Sequence, residues 1–297
     1  MISNIKRKPR FLLAALAIIV AVLLISLVQY LYPGWFRMSI ADGTLQVHFI
    51  DVGQGDAALL ITPEGQTMLI DAGPNASEET LINYLRYLGV KSIDYLVLTH
   101  PHEDHIGGAD CVIRNFTVKA VLLPDVNHTA ASYERLLDAI YEENCEVIFS
   151  EPGYTFACGE VGCTLLGPLD CQAKNLNNVS IVLRIEYGDT AFLFTGDAEQ
   201  DAEQQMIAAW TPDVFACEVL KVGHHGSSTS SGDDFLSICA PSYAVISCGR
   251  NNDYGHPHKA ILRRLEARHI TVYRTDQRST IVIRSDGTAV TIEDEAA

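Results

Sequence analysis

Apolar residues fall into three spacings along this chain. The first is an unbroken run from Phe11 to Val28, interrupted only by Ser26 and preceded by Lys6, Arg7, Lys8 and Arg10. Such a run is long enough to cross a bilayer as a helix. It is also long for a cleaved signal peptide and has no small-x-small site after it. The pattern therefore predicts a cytoplasmic basic N-terminus over 1–10, a transmembrane anchor over 11–32 and a linker over 33–43. Basic residues stay on the cytoplasmic side, so everything beyond Tyr32-Pro33-Gly34 is expected outside the membrane.

The second spacing, short alternating or continuous apolar runs, predicts strands over 44–50, 57–61, 67–70, 93–98, 120–123, 146–149, 164–166, 181–186, 191–195, 219–222, 243–247, 271–273, 280–284 and 289–292. The third, helical spacing, predicts helices over 81–88 (behind a Ser77 cap), 108–114, 132–143, 199–210, 233–239 and 258–268. Strands come first in each half, then strands alternate with helices, with the Cys158/Cys163 hairpin and strand 164–166 closing the first half. This order predicts an α/β fold over 44–297 in which two sheets lie face to face with helices outside.

Polar clusters recur where predicted strands end. The densest is Thr99-His100-Pro101-His102-Glu103-Asp104-His105-Ile106-Gly107-Gly108. Residues i and i+2 of an extended chain share a side, so His100 and His102 can converge on one point. A turn then brings Asp104 and His105 to a second point nearby. Imidazoles and carboxylates are costly to bury unless paired or bound to a metal, and this donor set suits zinc, iron or manganese. Asp197 follows a predicted strand as Thr195-Gly196-Asp197 and reads either as another ligand or as a helix N-cap. His48, His128, His258 and His269 read as sheet or surface residues.

Charge changes the picture in one respect. The net charge is −16, yet five of the 21 basic side chains and none of the 37 acidic ones lie in the first 40 residues. The remainder is strongly acidic, which is not the footprint of a nonspecific nucleic-acid binder. Residues 219–285 run the other way, with nine Lys/Arg against five Asp/Glu. If they flank the metals, the mouth of the site is locally basic, with Lys221, Arg250 and Lys259 as weak candidates for nucleic-acid contact. The eight cysteines show no CxxC zinc pattern. Cys158 and Cys163 either pair across their hairpin or remain buried thiols.

The segment from Thr99 to Gly108 resembles the HxHxDH signature of the metallo-β-lactamase αββα sandwich. Five further motifs, Asp51-Val52-Gly53-Gln54-Gly55-Asp56, Leu69-Ile70-Asp71-Ala72-Gly73, Phe194-Thr195-Gly196-Asp197, Leu220-Lys221-Val222-Gly223-His224-His225-Gly226-Ser227 and Tyr254-Gly255-His256-Pro257, narrow it. In this order they resemble the hydrolase domain of ComEC-type competence proteins, in a version with one anchor and no multi-helix channel. The resemblance implies two divalent metal ions (Mn2+ or Zn2+). His100 and His102 would hold one, Asp104 and His105 the other, and Asp197 would bridge them. It implies His256 as the terminal ligand, with His224 and His225 gripping phosphate and protonating the leaving oxygen; the reverse roles for His225 and His256 are the alternative. Asn178 and Ser180 stand where many relatives have another histidine, and as neutral oxygen ligands they would favour manganese. Asp51, Gln54, Asp56 and Asp71 are expected to support the ligands.

The implied activity is an extracytoplasmic metal-dependent phosphodiesterase or nuclease in which Asp104, His224 and His225 serve metal-activated attack by water on DNA, with single-stranded DNA as the expected substrate. Two alternatives belong to other classes: hydrolysis of another surface ester such as phosphorylcholine, and a non-catalytic DNA-tethering module on the membrane. No protein partner is legible.

Overall fold

The computed structural model describes residues 42–293. The predicted anchor over 11–32, its flanks and the orientation they imply lie outside them, apart from the end of the linker. No helix among the described residues is long and apolar enough to cross a membrane.

Among the described residues, fifteen strands form two sheets. In the first sheet, β1 (Leu45–Phe49), β2 (Ala58–Ile61) and β3 (Thr67–Ile70) are an antiparallel meander. The parallel strands β4 (Ser92–Val97), β5 (Thr117–Leu123) and β6 (Glu146–Phe149) extend it from β3. The second sheet starts with β7 (Thr155–Cys158), β8 (Val161–Gly167), β9 (Val182–Tyr187) and β10 (Thr190–Phe194), all antiparallel neighbours. It continues in parallel through β11 (Val219–Lys221), β12 (Tyr243–Ile246) and β13 (Thr271–Arg274). The last hairpin, β14 (Ile281–Ser285) and β15 (Val290–Glu293), crosses back to pair with β1 of the first sheet.

Two expectations change here. The Cys158/Cys163 hairpin opens the second sheet rather than closing the first half, and the final hairpin belongs to the first sheet. Strand pairing is non-local, so the order of runs along the chain does not reveal it. All eight cysteines are free thiols.

Helices α1 (Glu78–Leu88), α2 (Glu103–Ile106), α3 (Ala109–Asn115) and α4 (Ala131–Glu143) belong with the first sheet. Helices α5 (Gln200–Ala209), α6 (Asp233–Cys239) and α7 (Lys259–Glu266) belong with the second, and a short α8 (Thr275–Arg278) precedes β14. Three apolar cores separate the layers. Leu81, Leu85, Val112 and Leu136 pack under the first helical layer. Phe49, Phe192, Phe194 and Met68 lie between the sheets, and Met206, Phe235, Ile261 and Leu265 lie under the second helical layer. Helix α1 shows how sequence dictates this. Its apolar residues recur every three or four positions, Glu78 and Glu79 complement its N-terminus, and Gly89 ends it with φ 83°. In such layered folds ligands gather beyond the carboxyl ends of the parallel strands. There the chain places Asp71 after β3, Thr99 to His105 after β4, Asp197 after β10, His224 and His225 after β11, and Ser247 after β12.

Candidate metal centre

The site is assembled from loops that leave buried strands. Asp71, with φ 57°, turns its carboxylate back on the β4 loop, accepting from the Thr99 N–H (2.7 Å) and from the Thr99 hydroxyl (2.8 Å). A non-glycine residue holds a positive φ only where its surroundings over-determine it. The same carboxylate lies 2.8 Å from Nδ1 of His105. Two consecutive left-handed residues, His224 (φ 50°) and His225 (φ 52°), aim their rings into the cleft. Gly226 follows at φ 80°, where a Cβ would come within 2.6 Å of Pro257. Gly55 is required on the opposite wall, because a Cβ there would meet the carbonyl oxygen of Asp104 at 2.4 Å.

Two donor groups converge on Asp197, which is 2% exposed. On one side Nε2 of His100 lies 2.9 Å from Nδ1 of His102 and 3.9 Å from Oδ2 of Asp197. On the other, one donor atom from each of Asp104, His105, Asp197 and His225 falls within 4.8 Å of the rest. Nε2 of His105 is 3.2 Å from Asp197 Oδ1, and Nε2 of His225 is 3.2 Å from Asp104 and 3.6 Å from Asp197. Nε2 of His105 and Oδ1 of Asp197 have no hydrogen-bond partner although both are buried. Buried polar atoms are almost always satisfied, so this pair marks the position of a ligand.

The outer nitrogens support the same reading. Nδ1 of His225 lies 3.0 Å from the carbonyl of Ser247, an acceptor only, and so carries the hydrogen. Nδ1 of His105 likewise faces Asp71. Their inner nitrogens then meet carboxylates and need either a proton or a shared cation between them. Without metal the proton wins. Burial opposes the charge on His225, but Asp197 and Asp56 raise it to about 10. Burial opposes it on His105 too, and Asp197, Asp71 and Asp104 hold it well above the usual imidazole range. The carboxylates respond in kind. Asp56 is lowered to about 2 against its burial by Lys221 and His225, and Asp197 falls well below the ordinary value through His105 and His225. His100 moves the other way, because burial and then His105 keep it neutral and free to donate a lone pair. Asp104, His105, Asp197 and His225 fit a divalent cation, and His100 and His102 stand beside Asp197 with nitrogen donors that suit a second.

Several expected roles change. The histidine beside Asp104, His105 and Asp197 is His225; His256 stands outside, with ring centroids 6.2 Å from His225 and 5.5 Å from His224. Asn178 Oδ1 accepts from the Glu199 N–H (3.0 Å) and Ser180 Oγ from the Asp197 N–H (3.1 Å), so both brace the loop that carries Asp197. Asn177, one position earlier, lines the cleft with its Oδ1 unpartnered.

Lys221 does not stand at the mouth of the site: it is 4% exposed and forms an ion pair with Asp56 between the sheets. The mouth is not basic either. Arg264 and Arg268 are tied to Asp233, Arg274 to Asp276, and Arg284 to Asp42 and Glu293. Arg250 is exposed with Nε on the carbonyl of Asp276, and Lys259 is exposed at the start of α7.

The supports divide into two kinds. Asp71 orients His105 and the Ser247 carbonyl orients His225, while Asp56 sets a negative charge 3.2 Å from Nδ1 of His225. Asp51 accepts from the Gly53 N–H and Gln54 from the Gly249 N–H, each tying loops. Thr99, Asn177, Glu199 and Tyr254 have no role assigned to them in the sequence reading. Glu199 lies 3.3 Å from Nδ1 of His224, and its only signal was standing two residues beyond Asp197. The cleft holds roughly 380 Å³ and opens to solvent between Gln54, His102, Glu103, Asn177, His224, Tyr254 and His256.

The chain is similar to known proteins over most of its length. Residues 50–250 match the metallo-beta-lactamase superfamily. ComE operon protein 3 of Bacillus subtilis is 35% identical over 256 residues, covering 80% of this chain and 33% of that protein. Competence protein ComA of Neisseria gonorrhoeae is 33% identical over 230 residues, covering 76% of this chain and 30% of that one. The chain thus spans about a third of the length of the curated relatives it matches. The crystal structure of the metallo-beta-lactamase fold protein YhfI from Bacillus subtilis shares the fold, with a TM-score of 0.56 at 15% identity over 82% of this chain and all of that one.

Proposed function

This chain belongs to the metallo-beta-lactamase superfamily, and we propose that it is a metal-dependent phosphodiesterase that cuts DNA, single strands foremost, on the outer face of a membrane that holds its N-terminal segment. The observation that carries the reading is the position of Asp197, one carboxylate facing His100 with one oxygen and His105 with the other. Two cation positions sharing a carboxylate suit a reaction whose attacking and leaving atoms are both oxygens. The relatives named as competence proteins point to DNA among such substrates.

His100, His102 and Asp197 would hold one ion; Asp104, His105, Asp197 and His225 would hold the other. Two divalent cations held there, manganese or zinc, supply an activated water at neutral pH and positive charge against the developing oxyanions. The remaining work falls to this chain's residues. Asp71 fixes the tautomer of His105, and the Ser247 carbonyl that of His225, each through its Nδ1 hydrogen, with the Asp56 carboxylate 3.2 Å from the second ring. His224, 23% exposed and held at Nδ1 by Glu199, presents Nε2 to the cleft and donates the proton to the leaving oxygen. His256 is lowered to about 4, first by burial and then by His225 and His224. It is therefore uncharged at neutral pH and binds a phosphoryl oxygen as a neutral donor.

The test is incubation of the full-length chain with end-labelled single-stranded DNA and Mn2+, beside Asp104→Ala. Cleavage that disappears in the variant is expected. Binding without cleavage, or cleavage that survives Asp104→Ala, overturns the reading.

A further inference from the structure

The cleft has a wall that the chemistry above leaves idle. Among the described residues, the large apolar side chains that reach solvent include Leu137, Tyr141, Val147 and Phe149 on α4 and β6, and Tyr254, 68% exposed. Tyr254 alone of these lines the cleft that contains Asp197 and His225. Its ring stacks on His256 at 5.6 Å between centroids and 23° between planes, and its high exposure leaves it open to a ligand.

The loop beneath Tyr254 is fixed rather than loose. Asn252 donates from Nδ2 to the carbonyls of Gly249 (2.9 Å) and His256 (2.7 Å), and its Oδ1 accepts from the His256 N–H (2.9 Å). Nε2 of His258 lies 3.3 Å from the Tyr254 carbonyl. A rigid aromatic ring offered to solvent binds a flat partner at small entropic cost.

Charge says what that partner supplies. Neither lysine nor arginine lines the cleft, and the chain as a whole carries −16. Proteins that track a strand by its phosphates do so through basic grooves, with steep salt dependence, and this cleft has none. Grip on a nucleic acid here must come from one phosphate at the metal centre and from a base face.

We propose that Tyr254 is a nucleobase platform: an unpaired base next to the scissile phosphodiester stacks on its open face. The proposal rests on the phosphodiesterase reading and deepens it by naming the recognised unit as a nucleotide. A base within a duplex has both faces covered and cannot use the platform, which selects single strands.

The experiment has two arms on the Mn2+-loaded full-length chain, its Tyr254→Ala and its Tyr254→Phe variants. The first measures binding of thymidine 5′-monophosphate against 2-deoxyribose 5-phosphate, which carry the same phosphate and differ by the base. The wild type should prefer the nucleotide by about fivefold to a hundredfold. Tyr254→Ala should remove the preference without weakening the sugar phosphate, and Tyr254→Phe should keep it. The second compares kcat/KM for thymidine 5′-(4-nitrophenyl) phosphate and methyl 4-nitrophenyl phosphate, where Tyr254→Ala should raise KM for the nucleoside ester only. No base preference in the wild type, a preference that survives Tyr254→Ala, or equal loss on both ligands overturns the platform. A chain that hydrolyses neither ester sinks the phosphodiesterase reading, and the binding arm still decides the platform.

Discussion

The carboxylate of Asp71 lies 2.8 Å from Nδ1 of His105, while Nε2 of the same ring lies 3.2 Å from Asp197. The imidazole is thus clamped between a support and the shared ligand, with its tautomer and ring plane set before any cation arrives. Asp71→Asn keeps the size of the side chain and an acceptor for the Thr99 N–H but removes the charge behind the ring. Metal affinity, followed by competition with a chelator, should fall about 10- to 100-fold. Unchanged affinity would mean that Asp71 only shapes the turn.

A second prediction concerns the ion pair beneath the centre. Lys221 and Asp56 are both buried, and Asp56 also faces His225. Removing one partner of such a pair leaves an uncompensated charge in the interior. Lys221→Met should therefore cost about 3–5 kcal/mol in denaturant unfolding. Adding Asp56→Asn should recover part of that loss, because no bare carboxylate remains. If Lys221→Met is as stable as the parent, the pair contributes nothing to the fold.

The contrast between these two sites explains what was legible in the sequence. His100, His102, Asp104 and His105 lie within six positions, so strand and turn geometry alone brought them together. Asp197 carried a local mark, a carboxylate between an apolar strand and a helix. Lys221 was misread because the basic count over 219–285 treats every cation as solvent-facing. Its neighbours Val219 and Leu220 are buried, and β11 lies between β10 and β12, so a charge there must find a partner inside. That partner, Asp56, is supplied from far away in the chain, as Ser247 is for His225. Pairing of β14 with β1 was hidden for the same reason, since register depends on distant strands.

Acidity provides a third test, away from the metals. Glu203 on α5 is 1% exposed and accepts from the backbone N–H groups of Ser231 and Gly232, holding the loop beyond His225. Burial raises its pKa from 4.5 to about 7, and the two backbone hydrogen bonds and Arg264 only partly oppose this. Between those values the folded state keeps a proton that the unfolded chain has released. The contribution is full below pH 4.5 and is lost as pH rises through 7. Glu203→Gln cannot ionise. The stability difference between parent and variant should therefore shift by on the order of 3 kcal/mol between pH 4.5 and 8, against the parent at the higher pH. Urea midpoints at both values check it, and parallel profiles would refute it.

The last prediction separates the two histidines that compete for the terminal ligand position. His225 is 1% exposed, its Nδ1 is committed to the Ser247 carbonyl with Asp56 nearby, and its Nε2 faces Asp104 and Asp197. His256 stands one layer further out, under Tyr254, with Nδ1 unpartnered. A ligand and a substrate-binding group differ in what their loss removes. His225→Ala deletes a donor from the Asp104/His105/Asp197 group, so one ion should be lost or held at least about tenfold more weakly, with activity falling as a consequence. His256→Ala leaves that group whole. It should retain both ions and lose turnover through weaker engagement of the phosphoryl oxygens. Metal content after gel filtration, measured on both variants beside the parent, distinguishes the cases without reference to activity. Retention of both ions by His225→Ala together with loss of one by His256→Ala would exchange the roles. In that event the loop carrying Tyr254 would have to move inward when metal binds, because its present hydrogen bonds through Asn252 hold His256 away from Asp104.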